Sequence, residues 1–139
     1  MEDKRRRWLF VILLVVYVLV LFCSAVVCRQ PHNTEYIHTD LFWGFRSGPQ
    51  TLWGNLINIG AFVPVGLLVG LLARRRRLLL ASLAGLFLSE TFECFQLILH
   101  RGVFDVDDLF NNVVGALIGG LIAVVVIKVN RVSRIASYL

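Results

Sequence analysis

Residues 74–129 read RRRRLLLASLAGLFLSETFECFQLILHRGVFDVDDLFNNVVGALIGGLIAVVVIKV, and their reading decides the fold. Four arginines precede a leucine-rich run, 78–99. A short link carrying Asp105, Asp107 and Asp108 leads into a second apolar run, 109–129, which ends at basic residues again. Runs of about 20 residues extend about 30 Å at a rise of about 1.5 Å per residue, the thickness of a bilayer's hydrocarbon core. In lipid each run must satisfy its own backbone hydrogen bonds, so both are predicted to be helices.

Upstream the same alternation repeats. One further run covers about 55–73, and another, 8–28, reads WLFVILLVVYVLVLFCSAVVC without a charge. In 139 residues, 58% hydrophobic and 17% charged, the four runs leave no length for a separate soluble catalytic domain. A mean hydropathy of +0.76 excludes a disordered chain and a small disulfide scaffold. The predicted fold class is an all-α membrane protein: one domain over 1–139, built as an antiparallel bundle of four transmembrane helices, with outer loops 29–54 and 100–108. The first run is too long for a signal-peptide core and lacks a small-residue cleavage site, so it is expected to be retained. Cys23, Cys28 and Cys94 form no metal or redox spacing and are expected to be free.

Eleven of the fourteen basic residues fall at one end of such a bundle: Lys4 to Arg7, Arg74 to Arg77, and Lys128, Arg131 and Arg134. The opposite end holds Arg29, Arg46 and Arg101. By the positive-inside rule both termini are expected in the cytoplasm. The net charge of +5 arises from this collar and implies no nucleic-acid partner. The long outer loop carries Tyr36, Phe42, Trp43, Phe45 and Trp53, as expected of a segment at the headgroup level. His32 and His38, with no third ligand at metal spacing, read as solvated loop residues.

The apolar runs contain polar groups that lipid does not tolerate without reason. In the second run Asn58 lies about 5 Å below the start and reads as interhelical glue or part of a polar site. Pro64 frees the carbonyl of Gly60 and should kink the helix. The third run carries Glu90, Glu93 and Gln96, although a charge near the bilayer centre costs about 3 kcal/mol on insertion scales. At about 100° per residue Ser82, Ser89, Glu93, Gln96 and His100 share one face, which should point into the bundle. Glu90 stands off that face and is expected to bond to another helix or stay protonated. In the fourth run Asp105, Asp108, Asn112, Gly115 and Gly119 recur at intervals of 3 and 4, with the polar end outermost. Gly115 and Gly119 then provide a surface for close helix packing. Asn58, Glu93, Gln96, Arg101, Asp105, Asp108 and Asn112 thus form a candidate binding site toward the outer leaflet. Arg101 either points back down to an ionised Glu93 or, the favoured arrangement, pairs with Asp105 or Asp108 and leaves Glu93 protonated and bonded to Asn58 or Gln96. No nucleophile stands beside a base, so spacing establishes no catalytic residue, and no cofactor or metal is expected.

Asn58, Phe62, Pro64 and Gly66, then Glu93 and Gln96, then Arg101, Asp105 and Asp108, then Asn112 and Gly115, follow the order and spacing N-x-x-x-F-x-P-x-G, E-x-x-Q, R-x-x-x-D-x-x-D and N-x-x-G. In this the chain resembles the VanZ-like family of small bacterial membrane proteins, over about residues 55–120. The family takes its name from a protein associated with teicoplanin resistance. The resemblance implies a multi-pass protein of the bacterial plasma membrane, linked to glycopeptide resistance or cell-envelope lipid handling. Its expected partners are membrane lipids and a lipid-linked cell-wall precursor or lipoglycopeptide. Two alternatives stand beside this: a membrane-embedded enzyme acting on a lipid-linked phosphate, and a structural membrane subunit.

Overall fold

Residues 2–30, 37–38, 40–101 and 104–136 are described by the structure, a computed structural model. Helix α1 (Glu2–Phe22) runs into a single π-helical turn, Cys23–Val27. A short helix α2 (Trp43–Arg46) follows, then three long helices: α3 (Pro49–Leu72), α4 (Arg77–Ile98) and α5 (Val106–Ala136). Among the described residues four helices are long and apolar enough to cross a membrane, as the hydropathy predicts. The helices reach past the expected spans: α1 starts at Glu2 and α5 ends at Ala136, and the starts of α3 and α5 also lie earlier. Helix α3 begins at Pro49 rather than near Asn55, because Pro49 suits a first helical turn whose N–H groups have no partner anyway. Helix α5 begins at Val106 rather than near Leu109, because Asp105 caps it: its Oδ1 accepts the N–H of Asp107 at 2.8 Å.

The core of the bundle is the pair α3–α5, and it is built on missing side chains. A Cβ at Gly66 would overlap the carbonyl of Ala116, one at Gly115 the carbonyl of Ile59, and one at Gly119 the carbonyl of Val63. Backbone therefore meets backbone, which suits a membrane, where association depends on close van der Waals contact rather than on hydrophobic exclusion. Ala123 continues the seam against Gly70, where an added Cβ would lie 2.7 Å from the alanine methyl. On its other side α5 packs against α4, with Gly85 opposite Ala116 and Gly120 opposite Ala81.

Helix α1 is attached differently. Its inner half lies against the bundle through few buried residues, and its side chains from Trp8 to Val20 are largely exposed. Its outer end is anchored by aromatic packing: Phe22 meets Phe92 and Phe95 edge-on, with centroids 5.7 and 5.2 Å apart. Phe62 of α3 joins from the other side, 6.2 Å from Phe92. Lower down, the Tyr17 hydroxyl donates to the carbonyl of Ala61 at 2.9 Å, one residue beyond the Gly60 carbonyl that Pro64 leaves without its helical donor. Between α1 and α4, backed by Val69 of α3, lies an apolar groove of about 370 Å³, lined by Leu14, Val18, Phe87 and Leu88 among others.

At the opposite end from the basic collar, Ile37–His38 and Phe104–Asp105 pair as a two-residue parallel ladder, β1 and β2. His32 and Tyr36 lie outside the described residues, as do the side chains of His38 and Phe45.

Gly66→Ala, Gly115→Ala and Gly119→Ala are each expected to destabilise the protein by about 1–3 kcal/mol, the cost of forcing packed elements apart. Gly54→Ala, where a Cβ meets nothing within 4 Å, is the control. It should leave the melting temperature in detergent unchanged or raise it slightly, since alanine is favoured over glycine in a helix by about 0.5–1 kcal/mol.

Candidate functional site

The polar groups of the membrane-spanning helices gather at the end of the bundle away from the basic collar. Helix α4 turns Ser89, Glu93 and Gln96 inward, and all three are buried, as their shared helical face predicts. Glu90, one residue round the helix, is exposed on the outside of α4 and forms no hydrogen bond to another helix among the described residues. His100 is not part of the inward stripe. It adopts φ +52° and closes α4: its N–H bonds the carbonyl of Leu97 at 3.1 Å, and the N–H of Arg101 bonds that of Gln96 at 2.8 Å. This left-handed turn, commonly made by glycine, ends the helix and reverses the chain.

The reversal sends Arg101 toward α1, not toward the aspartates. Its Nη1 donates to the carbonyl of Val27, with a longer contact of 3.4 Å to that of Arg29. The expected pairing with Asp105 or Asp108 is thus replaced by capping of α1. The last carbonyls of a helix have no intrahelical donor and carry the negative end of its dipole, so a guanidinium there satisfies both. Gln96 completes the clamp. Its Nε2 donates to the carbonyl of Ala25 at 3.1 Å, and its Oε1 accepts Arg29 Nη1 at 2.6 Å. Gln96 of the E-x-x-Q motif and Arg101 therefore hold the π turn of α1 against α4. Arg29 was not among the expected site residues. The one signal for it in the sequence is its position as the first charge after an uncharged span.

Glu93 bonds to neither Asn58 nor Gln96. Its Oε2 accepts the backbone N–H of Asp105 at 3.3 Å. Asn58 of α3 reaches Asp108 instead, Nδ2 to Oδ1 at 2.5 Å. One turn below Asp108, Asn112 donates to the Ser89 hydroxyl at 2.8 Å, and Ser89 lies one turn below Glu93. Asp105 and Asp108, expected on one stripe, and Asp107 beside them have three separate tasks. Asp105 caps α5 and Asp108 ties α5 to α3. Asp107, 1% exposed, receives the N–H groups of Phe42 and Gly44 at 2.5 and 2.8 Å. Phe42 sits at φ +67° and stacks edge-on against Phe110 of α5 at 5.2 Å. The outer aromatic segment is therefore folded down onto the start of α5. Gly44 is required there, because a Cβ would come within 2.7 Å of Asn55 and 3.2 Å of Asp107. Asp107, Asn55 and Asn111 were missed in the sequence because they lie off the counted stripe.

Glu93, Asp105 and Asp108, supplied by α4, β2 and α5, repel one another, and Arg29 attracts Glu93 and Asp108 across a longer gap. Buried amides surround them: Asn112 keeps an unpartnered Oδ1, Asn55 an unpartnered Nδ2, and Asn111, 0% exposed, has a partner at neither end. Among the described residues no cluster of three or more His, Cys, Asp or Glu side chains is arranged to hold a metal ion.

A multi-pass α-helical membrane protein with a polar, acid-rich site between three packed helices, at the end away from the basic collar, is the class these features define. Within that class the chain belongs to the VanZ/LLP1 family, which it matches over residues 8–128. The match takes in α1 and the outer loop as well as the motifs. No curated protein and no solved structure shows significant similarity to it.

Double-mutant cycles read by unfolding in detergent will separate the two arginines. Glu93→Gln and Arg101→Ala are expected to add within about 0.5 kcal/mol, whereas Arg29→Ala and Gln96→Ala, which break one shared bond, should couple by about 0.5–3 kcal/mol. Asp107→Ala should accelerate hydrogen exchange at the amides of Phe42 and Gly44, while those of α3 near Val65 keep their protection.

Proposed function

We propose that this VanZ-family protein resides in the plasma membrane of a bacterium with both termini in the cytoplasm, and binds the polar head of an amphiphile at the outer leaflet. The amphiphile would be a lipid-linked cell-wall precursor or a lipoglycopeptide, and the consequence altered sensitivity to teicoplanin-like antibiotics. The observation that carries this reading is the placement of the polar cluster. Glu93, Asp108, Asn58 and Asn112 lie between helices whose outer surfaces are apolar, at the end opposite the basic collar. A ligand reaching them from the side must be compatible with lipid, and one reaching them from above must pass the segment held by Asp107. The groove between α1 and α4 gives the tail of such a ligand an apolar surface, with a volume in the range of small-molecule pockets. Glu93 lies five residues above Leu88 of the groove, about 7.5 Å at the helical rise.

The orientation follows the positive-inside rule, and the role follows family membership joined to this geometry. In a cysteine-free background, a cysteine at position 46 should react with an impermeant maleimide added to intact spheroplasts, and one at position 76 should not. Teicoplanin susceptibility is then compared in cells expressing the wild type, Glu93→Ala and Asp108→Ala at equal levels. The expected outcome is a shift of at least fourfold in inhibitory concentration with the wild type and its loss in both variants. An unchanged value with the wild type would remove the resistance role for this member.

A further inference from the structure

The acid cluster is short of donors. Glu93 receives one backbone N–H and Asp108 one amide N–H, and Asp105 receives one N–H within its own cap. Beneath them the amide of Asn112, 7% exposed, points its nitrogen at Ser89 and leaves Oδ1 buried with no donor at all. A buried acceptor without a partner costs about 1–3 kcal/mol, so it marks a place where something else donates. The cations that could have supplied donors are engaged elsewhere. Arg101 caps α1, and Arg29 gives its Nη1 to Gln96. Among the described residues no lysine or arginine forms an ion pair with Glu93, Asp105 or Asp108.

Two consequences follow. Adjacent carboxylates in a poorly hydrated site cannot keep their charge uncompensated, so protons or a cation must accompany them. An anionic head such as a phosphate would add charge of the same sign and bring acceptors where acceptors already predominate. Among the described residues no set of three His, Cys, Asp or Glu side chains is placed to hold a metal ion. An ammonium group brings a positive charge and up to three N–H donors on one small centre. Glu93 is buried, while Asp105 and Asp108 are only half-buried.

Resting on the amphiphile-binding reading above, we propose that the head group this site selects is cationic, a primary ammonium, held by Glu93 and Asp108 with Asn112 Oδ1 at its floor and its apolar tail in the groove between α1 and α4. The site discriminates against amphiphiles whose head is a phosphate monoester. Asp105 contributes field rather than contact, because its carboxylate is committed to the cap of α5.

The test uses the full-length protein in nanodiscs of uncharged phosphatidylcholine, titrated calorimetrically with dodecylammonium and, separately, with dodecyl phosphate, with empty nanodiscs subtracted. Saturable binding of dodecylammonium at one per protein, at least tenfold tighter than dodecyl phosphate, is the expected result. Glu93→Gln and Asn112→Leu should each weaken it at least fivefold. Glu90→Gln, which removes a carboxyl outside the site, should leave it within twofold. Size exclusion and circular dichroism confirm that each variant is folded before it is titrated. If dodecyl phosphate binds saturably and as tightly or more tightly, amphiphile binding stands and the charge assignment is overturned. If neither compound binds above empty nanodiscs, the amphiphile reading fails and takes this assignment with it. Equal weakening by Glu90→Gln and Glu93→Gln would mean bulk attraction to acidic residues and would also overturn it.

Discussion

The contact of α3 with α5 through bare backbone is the constraint on which the rest depends. Gly66, Gly115 and Gly119 allow carbonyls of one helix to touch the other where any side chain would hold them apart. Lipid tails are as apolar as leucine, so helices gain little by hiding apolar surface from them and must instead gain dispersion contact. The same closeness brings Asn58 within hydrogen-bonding distance of Asp108, about two turns from Gly115. The polar site is a product of the glycine seam: with the helices farther apart, the carboxamide and carboxylate would not meet.

Above this seam the polar residues fall into two systems. One is structural: Gln96, Arg101 and Arg29 hold the π turn of α1, and Asp107 holds the outer segment at Phe42 and Gly44. These bonds go to backbone atoms or close on themselves, and leave few groups open. The other system, Glu93 with Asp108, Asn58 and Asn112, has more acceptors than donors and a buried amide left incomplete. Protein structures rarely leave such groups unmet, and that asymmetry is what separates the binding centre from the scaffold around it.

Helix α1 links the two systems. It is held at its outer end by aromatic packing and carbonyl caps, while along its inner half a groove separates it from α4. A π turn is a wide, poorly bonded turn that exposes carbonyls, and here those carbonyls are the ones Gln96 and Arg101 reach. The carbonyls of Ala25 and Val27 thus find side-chain donors, as backbone at membrane depth requires.

Four spans, their alternation, the end that carries the basic residues and the packing role of Gly115 and Gly119 were all legible in the residues themselves. Each depends on a local property, such as hydropathy over one helix length, the sign of a loop or the absence of a side chain. Glu93 and Gln96 could be placed on an inward face because helical periodicity alone sets direction. The partners could not be read this way. Arg101 lies four residues from Asp105 in the chain, yet the left-handed turn at His100 directs it to α1, across more than seventy positions. Asp107 lies off the stripe of Asp105 and Asp108, and its partners, the N–H groups of Phe42 and Gly44, are brought to it only by the segment that precedes α3. Which acceptor a long side chain finds depends on what the other helices bring near, and that is decided by the α3–α5 approach and the docking of α1. Helical periodicity alone sets the face of Glu93 and Gln96, because both stand within a regular helix; only the packed structure decides what they touch and where the helix, at His100, stops obeying that period.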